Sequence, residues 1–286
     1  MMKRKILTVL MLVLLGIIGI SCVKIAGILL RSKTENDDFQ RLASLTVMPS
    51  ESNPGAAAAS EREPVQAAEP DETREDDWFD VETEEEEFFF DDPVPPADGE
   101  VPVHTRNLSP LFERNPDCIG WLFIADTKID YPVMHTPDEP EKYLHRNFDC
   151  EDSSSGVPFL QGNETLDSDN LIIYGHNMKN GTMFRDLLQY RNKSFCLGHP
   201  TIELETAQGL QCYSDFAVAQ VPPTDGWYQF ADAFDAADYS DQITELLQRA
   251  LVTVGTPPQH GQQLLTLSTC IGVNNAERLL VIAAAQ

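Results

Sequence analysis

Three side chains in this sequence have the types and settings from which acyl-transfer chemistry is built. Cys270 closes the run TLSTC, and Arg278 follows eight residues later inside the apolar stretch AERLLVIAAA. His176 stands in YGHNM, just after the apolar, strand-like run Leu171–Tyr174. A thiol supplies a nucleophile, an imidazole moves a proton, and a guanidinium offers fixed N–H donors to an oxyanion. Each is weak evidence alone, since a cysteine closing an apolar strand is usually a small buried hydrophobe. His104, His135, His145, His199 and His260 lie in polar, loop-like stretches and are expected to be solvated. Arg278 is the unusual member. Apart from Glu277 beside it, no other charge lies between Val273 and the C-terminus, and an arginine in such a strand needs a partner. Glu277 or Asp169 would serve if its role were structural.

The elements that must position this trio are short strands. WLFIAD (121–126), IDYPVM (129–134), GVPFL (156–160), NLIIYG (170–175), TIELET (201–206), YSDFAVAQV (213–221), LLTLST (264–269) and RLLVIAA (278–284) are eight candidates separated by Gly, Pro, Asn and Asp. That pattern predicts an antiparallel or mixed barrel or sandwich. Two helical patches interrupt it. In GTMFRDLLQY, Phe184, Leu187, Leu188 and Arg191 share a helical face. In SDQITELLQRALV, Ser240 can act as N-cap for a face of Ile243, Leu246, Leu247, Ala250 and Leu251.

Charge divides the chain into three. Residues 1–34 carry six basic residues and no acids, residues 35–100 have a net charge of −19, and residues 101–286 have −13. Lys3, Arg4 and Lys5 precede an uncharged apolar run from Ile6 to Val23. Its 18 residues would extend about 27 Å as a helix, close to a bilayer core. The basic cluster favours an N-terminus inside and the remainder outside. A cleaved signal ending at Cys22 in GISC is the alternative; the apolar run continues past Cys22, so an uncleaved signal anchor over 1–31 is expected. The acidic stretch 32–102, containing ETEEEEFFFDD, is expected to be an extended disordered linker, with Trp78, Phe79 and Phe88–Phe90 as its unexplained aromatics. Residues 103–286 are one domain's worth of sequence.

Several function classes are excluded or unsupported. There is no CxxC or HExxH pattern for zinc, no ligand spacing for calcium and no Gly-rich phosphate loop. An acidic domain would repel nucleic acid. Cys118, Cys150, Cys196 and Cys212 show no spacing that selects a disulfide and are expected to be buried free thiols.

Across residues 107–286 the sequence resembles the sortases, and within them the class B branch. NPDCIGWLFI, IDYPVM, the pair Tyr143–Leu144, YGHNMKNGTMF, HPTIEL and TLSTC with its downstream arginine occur in the family's order. A long insertion with a helix, here about 222–262, is a class B trait. The resemblance implies a mainly β fold, an eight-stranded sortase-type β-barrel with peripheral helices, one of them in the long loop before the cysteine strand. It implies His176, Cys270 and Arg278 as catalytic residues and Leu144, Ser268 and Thr269 as substrate-binding, with no metal and no cofactor. Cys270 would attack a threonine carbonyl in the C-terminal sorting motif of an exported protein. His176 would protonate the leaving amine, and an amine of peptidoglycan precursor would resolve the thioester. Arg278 and a backbone N–H would hold the oxyanion. The implied place is the cell membrane, single-pass, with the catalytic domain outside. Gln161, Pro140 and Ile271 depart from residues frequent in class B, so the recognised motif, often of asparagine-proline type in that class, is left open.

Three rivals differ in testable ways. A papain-like hydrolase places its cysteine before its histidine, at a helix start; this chain does neither. A non-catalytic wall-associated scaffold with the same fold would lack a reactive Cys270. A pilin-polymerising transpeptidase would take a protein lysine as its amine.

Overall fold

Short runs rich in β-branched and aromatic residues, cut by turn formers, become strands here because their alternate faces can both be covered. The computed structural model describes residues 2–47 and 106–286. Helix α1 spans Met2–Leu45 and α2 spans Ser109–Arg114, followed by strands β1 (Cys118–Phe123), β2 (Asp130–Met134), β3 (Phe159–Leu160) and β4 (Asn170–Tyr174). A 3-10 helix, Phe184–Arg191, and α3 (Lys193–Gly198) lead to β5 (Thr201–Thr206) and β6 (Gly209–Val221). Then come α4 (Ala236–Gln248), β7 (Ala250–Thr253), β8 (Leu264–Ile271) and β9 (Glu277–Ala285). The strands pair in the order β5-β1-β2-β3-β4-β8-β9-β6, and β6 returns to β5, closing an eight-stranded barrel; β7 adds to β6 as an extra strand. Closure satisfies the edge groups an open sheet would expose. Two pairings, β2 with β3 and β4 with β8, are parallel.

Side-chain alternation sorts the apolar residues into two cores. Trp121, Val133, Ile173, Leu265, Leu267, Leu279 and Val281 belong to the cluster that fills the barrel. Ile172, Leu264, Leu280 and Ile282 project the other way and are covered by Trp227, Phe230, Tyr239, Ile243 and Leu246. The segment from Trp227 through α4 is therefore a lid on the outer face of β4, β8 and β9.

All eight expected strands form, with shifted ends. β1 begins at Cys118 and stops at Phe123, because the chain turns through Asp126 at φ 57°. A ninth strand, Ala250–Thr253, replaces the end of the helix expected over 240–252, where Val252 pairs with Val218. The helix cap also moves. Asp235, not Ser240, accepts from the amides of Ala237 and Asp238. The patch at 184–191 winds as 3-10 helix, so Phe184, Leu187 and Tyr190 are buried at a spacing of three, where α spacing had pointed to Leu188 and Arg191. All six cysteines are free: Cys118 and Cys196 are buried, while Cys150 and Cys212 are only half-buried. Burial pushes the Cys118 thiol up to about 12 and the Cys196 thiol up to about 11, which leaves both inert at neutral pH.

The N-terminal boundary changes as well. Residues 32–45, expected as the start of a disordered linker, continue α1, whose Phe39 and Leu42 are buried in the barrel cluster. Residues 48–102 of that linker, including Trp78, Phe79 and Phe88–Phe90, lie outside the described residues, as do residues 103–105 with His104. Among the described residues no helix is long and apolar enough to cross a membrane; the run Ile6–Val23 falls largely on residues 6–15, whose side chains lie outside the description.

Gly156 has φ +61°, and a Cβ there would stand 2.5 Å from the Tyr143 carbonyl and 2.6 Å from that of Leu144. Gly156→Ala is expected to destabilise the protein by about 1–3 kcal/mol. Asp235→Ala should cost about 1 kcal/mol as a lost cap, and Ser240→Ala no more than about 0.5 kcal/mol. Urea unfolding of the three variants checks the order; an equal loss in Ser240→Ala would reassign the cap.

Candidate active site

β4 and β8 run in the same direction with Tyr174 opposite Ser268, so their C-terminal ends emerge side by side. His176 lies just past one end and Cys270 near the other. β9 then returns antiparallel and places Arg278 directly opposite Cys270, so the two side chains rise from the same face as cross-strand neighbours. That face is the outer one. Below Cys270 it is sealed by the lid: Trp227 Nε1 donates to Thr266 Oγ1 at 3.0 Å, and the Tyr228 hydroxyl shares a 2.9 Å hydrogen bond with Ser268 Oγ. Cys270 and Arg278 remain half-buried at the open end of the strip.

His176 is held from several directions. Its Nε2–H donates to the Leu144 carbonyl at 2.8 Å, which leaves the Nδ1 lone pair of the neutral ring as the acceptor. The His145 ring stacks on it at 5.6 Å. Burial holds the His176 imidazole below its ordinary value, the Leu144 bond opposes this, and the His145 charge adds to it. The backbone is tied across the strands. Thr269 Oγ1 donates to the Gly175 carbonyl at 2.7 Å, the Gly175 amide donates to the Ser268 carbonyl at 3.1 Å, and Asn177 Nδ2 donates to the Cys270 carbonyl at 2.9 Å. Gly175 is required by close approach: a Cβ there would lie 2.6 Å from the Phe184 ring.

Arg278 does not use the partners its sequence context offered. Its Nη1 donates to the carbonyls of Asn275 at 2.8 Å and Glu277 at 3.2 Å. The Glu277 carboxylate instead accepts from Gln220 Nε2, and Asp169 accepts from the Ala233 amide. Two tyrosines feel the guanidinium. Burial raises Tyr174 and Tyr228, the latter to about 12, while the Arg278 charge pulls both back down.

Those tyrosines form a wall. Phe159 stacks on Tyr174 at 5.5 Å, and Tyr174 on Tyr228 at 5.8 Å. Gln161 clamps them, accepting from the Tyr174 hydroxyl at 2.5 Å and donating to the Tyr228 carbonyl at 3.1 Å. Behind it Glu164 accepts from Gln161 Nε2 and from the Ile172 amide. Burial pushes Glu164 up to about 8.

The structure thus brings His176, Cys270 and Arg278 together at one end of three adjacent strands. Leu144 joins through its carbonyl rather than its side chain. Ser268 shares the Cys270 face under Tyr228. Thr269 does not line that face: it is 1% exposed, and its hydroxyl is spent on Gly175. Of the residues that depart from the family pattern, Gln161 is the clamp, Pro140 packs where a Gly162 Cβ would fall, and Ile271 is buried in the barrel. Sequence reading missed His145, Asn177, Tyr174 and Tyr228. Tyr174 and Asn177 were signalled by their place in YGHNM, whereas nothing local marks Tyr228. His199, expected to be solvated, donates through Nδ1–H to the Phe195 carbonyl at 2.9 Å and stacks on that ring at 3.8 Å. His135 is half-buried, and burial lowers its imidazole. Among the described residues no group of three His, Cys, Asp or Glu could hold a metal ion.

A thiol, a neutral imidazole with a free acceptor nitrogen and a fixed cation on one edge are suited to nucleophilic acyl transfer. Known proteins carry the same arrangement of strands. The Sortase domain family matches residues 122–286. Sortase B of Listeria monocytogenes is 38% identical over 178 residues, which is 61% of this chain and 70% of that protein. The structure of the Staphylococcus aureus sortase B–substrate complex superposes with a TM-score of 0.59 at 25% identity, covering 63% of this chain and 84% of that one. Clostridium perfringens sortase B gives 0.58 at 29% identity, covering 62% and 98%.

Two titrations test the geometry. His176 is expected to titrate below about 6.5 by NMR of its ring protons, and His145→Gln should move its midpoint up; because the fold favours the neutral ring, this group lowers stability as pH falls through the ordinary imidazole range. For Glu164 the sign is opposite. Its proton is retained in the fold but lost from the unfolded chain between about 4.5 and about 8, so the stability advantage of Glu164→Gln over wild type should widen as pH rises through that window. A constant gap in urea midpoints would refute the buried, raised carboxyl.

Proposed function

The chain belongs to the sortase family, in its class B branch, and is a cysteine transpeptidase; from that premise we propose that Cys270 is its nucleophile, His176 its acid–base and Arg278 its oxyanion donor. The in-register pairing of Cys270 with Arg278, beside the strand end that carries His176, is the observation that supports this most. In the first half-reaction the thiol proton passes to the His176 imidazole as sulfur attacks a threonine carbonyl. The tetrahedral oxyanion is met by the Arg278 guanidinium and a backbone N–H. The scissile C–N bond breaks, the imidazolium protonates the leaving amine, and a thioester remains on Cys270. In the second half an amine of peptidoglycan precursor attacks the thioester, gives up a proton through His176, and releases the thiol.

The lowered His176 favours this cycle, because a base must rest neutral to accept the thiol proton. Among the described residues Arg278 hydrogen-bonds to backbone carbonyls, which a forming oxyanion can displace without breaking an ion pair. Leu144 would flank the bound peptide, Ser268 would hold Tyr228 from beneath, and the Tyr174–Tyr228 wall is the surface on which its apolar side chains would lie. No cofactor enters this scheme. The proteins acted on would be exported chains with a C-terminal sorting motif.

The N-terminus supports a location. Ile17, Ile18, Ile20, Val23 and Ile25 are all exposed on α1, apolar surface that water penalises and lipid would cover. With the basic residues before Ile6, this supports a single-pass anchor with the catalytic domain outside the cell, where lipid-linked precursor is concentrated and an amine can compete with water.

The test is to incubate the full-length protein in detergent with sorting-motif peptides and triglycine, and to read products by mass spectrometry. A Cys270-linked acyl intermediate and an amine-linked product are expected for wild type and neither for Cys270→Ala. Arg278→Ala should lower kcat by about 10²–10³-fold. Hydrolysis without amine transfer, or no adduct on Cys270 with any peptide, would overturn the assignment.

A further inference from the structure

Helix α1 does more than lead away from the barrel: its last turns reach both partners of the proposed catalytic pair through short chains of contacts. Glu35 lies in a cradle of three consecutive serines. Ser153 Oγ donates to its carboxylate at 3.0 Å, the Ser154 amide at 2.9 Å, Ser154 Oγ at 3.1 Å and Ser155 Oγ at 3.0 Å. Burial of Glu35 would raise its carboxyl, but the serine hydrogen bonds outweigh this and hold it below its ordinary value. It is thus a charged acceptor matched to four donors.

The cradle is the back of the segment that holds His176. The Ser153 amide donates to the His145 carbonyl at 2.9 Å, and the Val157 amide to the Tyr143 carbonyl at 3.1 Å. Gly156 lies so close to the Tyr143 and Leu144 carbonyls that no side chain fits between. On the other side of that segment the Leu144 carbonyl takes the His176 Nε2–H, and His145 stacks on the ring. Four residues along α1, Phe39 begins a second route. Its ring meets Tyr131 edge-on at 5.0 Å. The Met183 amide donates to the Tyr131 hydroxyl at 3.0 Å, Met183 bridges to Asn177, and Asn177 Nδ2 holds the Cys270 carbonyl.

We propose that Glu35, with Phe39 behind it, is a positioning residue for the transpeptidation, fixing the 143–145 segment and through it the His176 ring. The inference rests on the reading of His176 as the acid–base. α1 is then a working part of the catalytic domain rather than a tether, and a protein truncated beyond Phe39 would lose support for its own histidine. A misplacement of an acid–base group by a fraction of an ångström is enough to slow proton transfer without loosening substrate.

The experiment uses the full chain in detergent with Glu35→Ala, Glu35→Gln and, as a control on the same turn, the exposed Asp37→Ala. Glu35→Ala is expected to lower kcat about tenfold with KM within about twofold, to bring the His176 NMR midpoint up toward the ordinary imidazole value, and to shift the pH profile of kcat with it. Glu35→Gln keeps an acceptor oxygen without the charge and should fall between, which keeps the question answerable if the alanine variant misfolds. Asp37→Ala should match wild type. Unchanged kcat and an unchanged His176 midpoint in Glu35→Ala would overturn the proposal, as would an equal loss in Asp37→Ala. The ring titration reads the coupling without any substrate, so a wild type that forms no acyl-enzyme would count against the functional reading alone.

Discussion

The parallel pairing of β4 with β8 is the constraint on which the remainder depends. In an all-antiparallel meander, neighbouring strand ends alternate in direction, and a histidine after one strand would face away from a cysteine at the end of the next. Pairing Tyr174 with Ser268 in parallel makes both chains exit together. The antiparallel return of β9 then brings Arg278 alongside without any further device. A parallel pair cannot be joined by a tight turn. The long excursion between β4 and β8, which includes β5, β6, the lid and α4, is what the connection requires.

That excursion is also what closes the outer face. Trp227 and Tyr228 sit on Thr266 and Ser268, so the strip running up to Cys270 is dry below the thiol and open above it. Low exposure strengthens the hydrogen bonds that orient the site and keeps the His176 ring neutral. Burial also raises Glu164 and Tyr174, so groups that shape the wall stay uncharged.

Stability and positioning share residues. Thr269, expected among the substrate contacts, is instead a buried tie between β8 and Gly175, one residue before the histidine. Gly156 and Gly175 admit close backbone approaches that hold the Leu144 carbonyl and Phe184 against His176. The serine cradle around Glu35 continues the same logic outward, from the imidazole to the segment behind it and from there to helix α1.

Much was legible in one dimension. The eight barrel strands, the helical excursion before β8, the acid-rich middle and the candidate trio could be read from residue type and local pattern, because strand propensity, hydrophobic period and the chemistry of Cys, His and Arg are properties of short segments. The tertiary structure decided what depends on contacts between distant segments. It put Asp235 rather than Ser240 at the helix cap and turned Ala250–Thr253 into a strand, because β6 offers Val252 a partner. It gave the Glu277 carboxylate to Gln220 and left Arg278 with carbonyls. It brought Tyr228, which no motif marks, onto Ser268, and it returned α1 to the barrel through Glu35 and Phe39. Pattern specifies which face of an element is apolar; only the packed barrel specifies which other element that face, or a polar side chain at its edge, will meet.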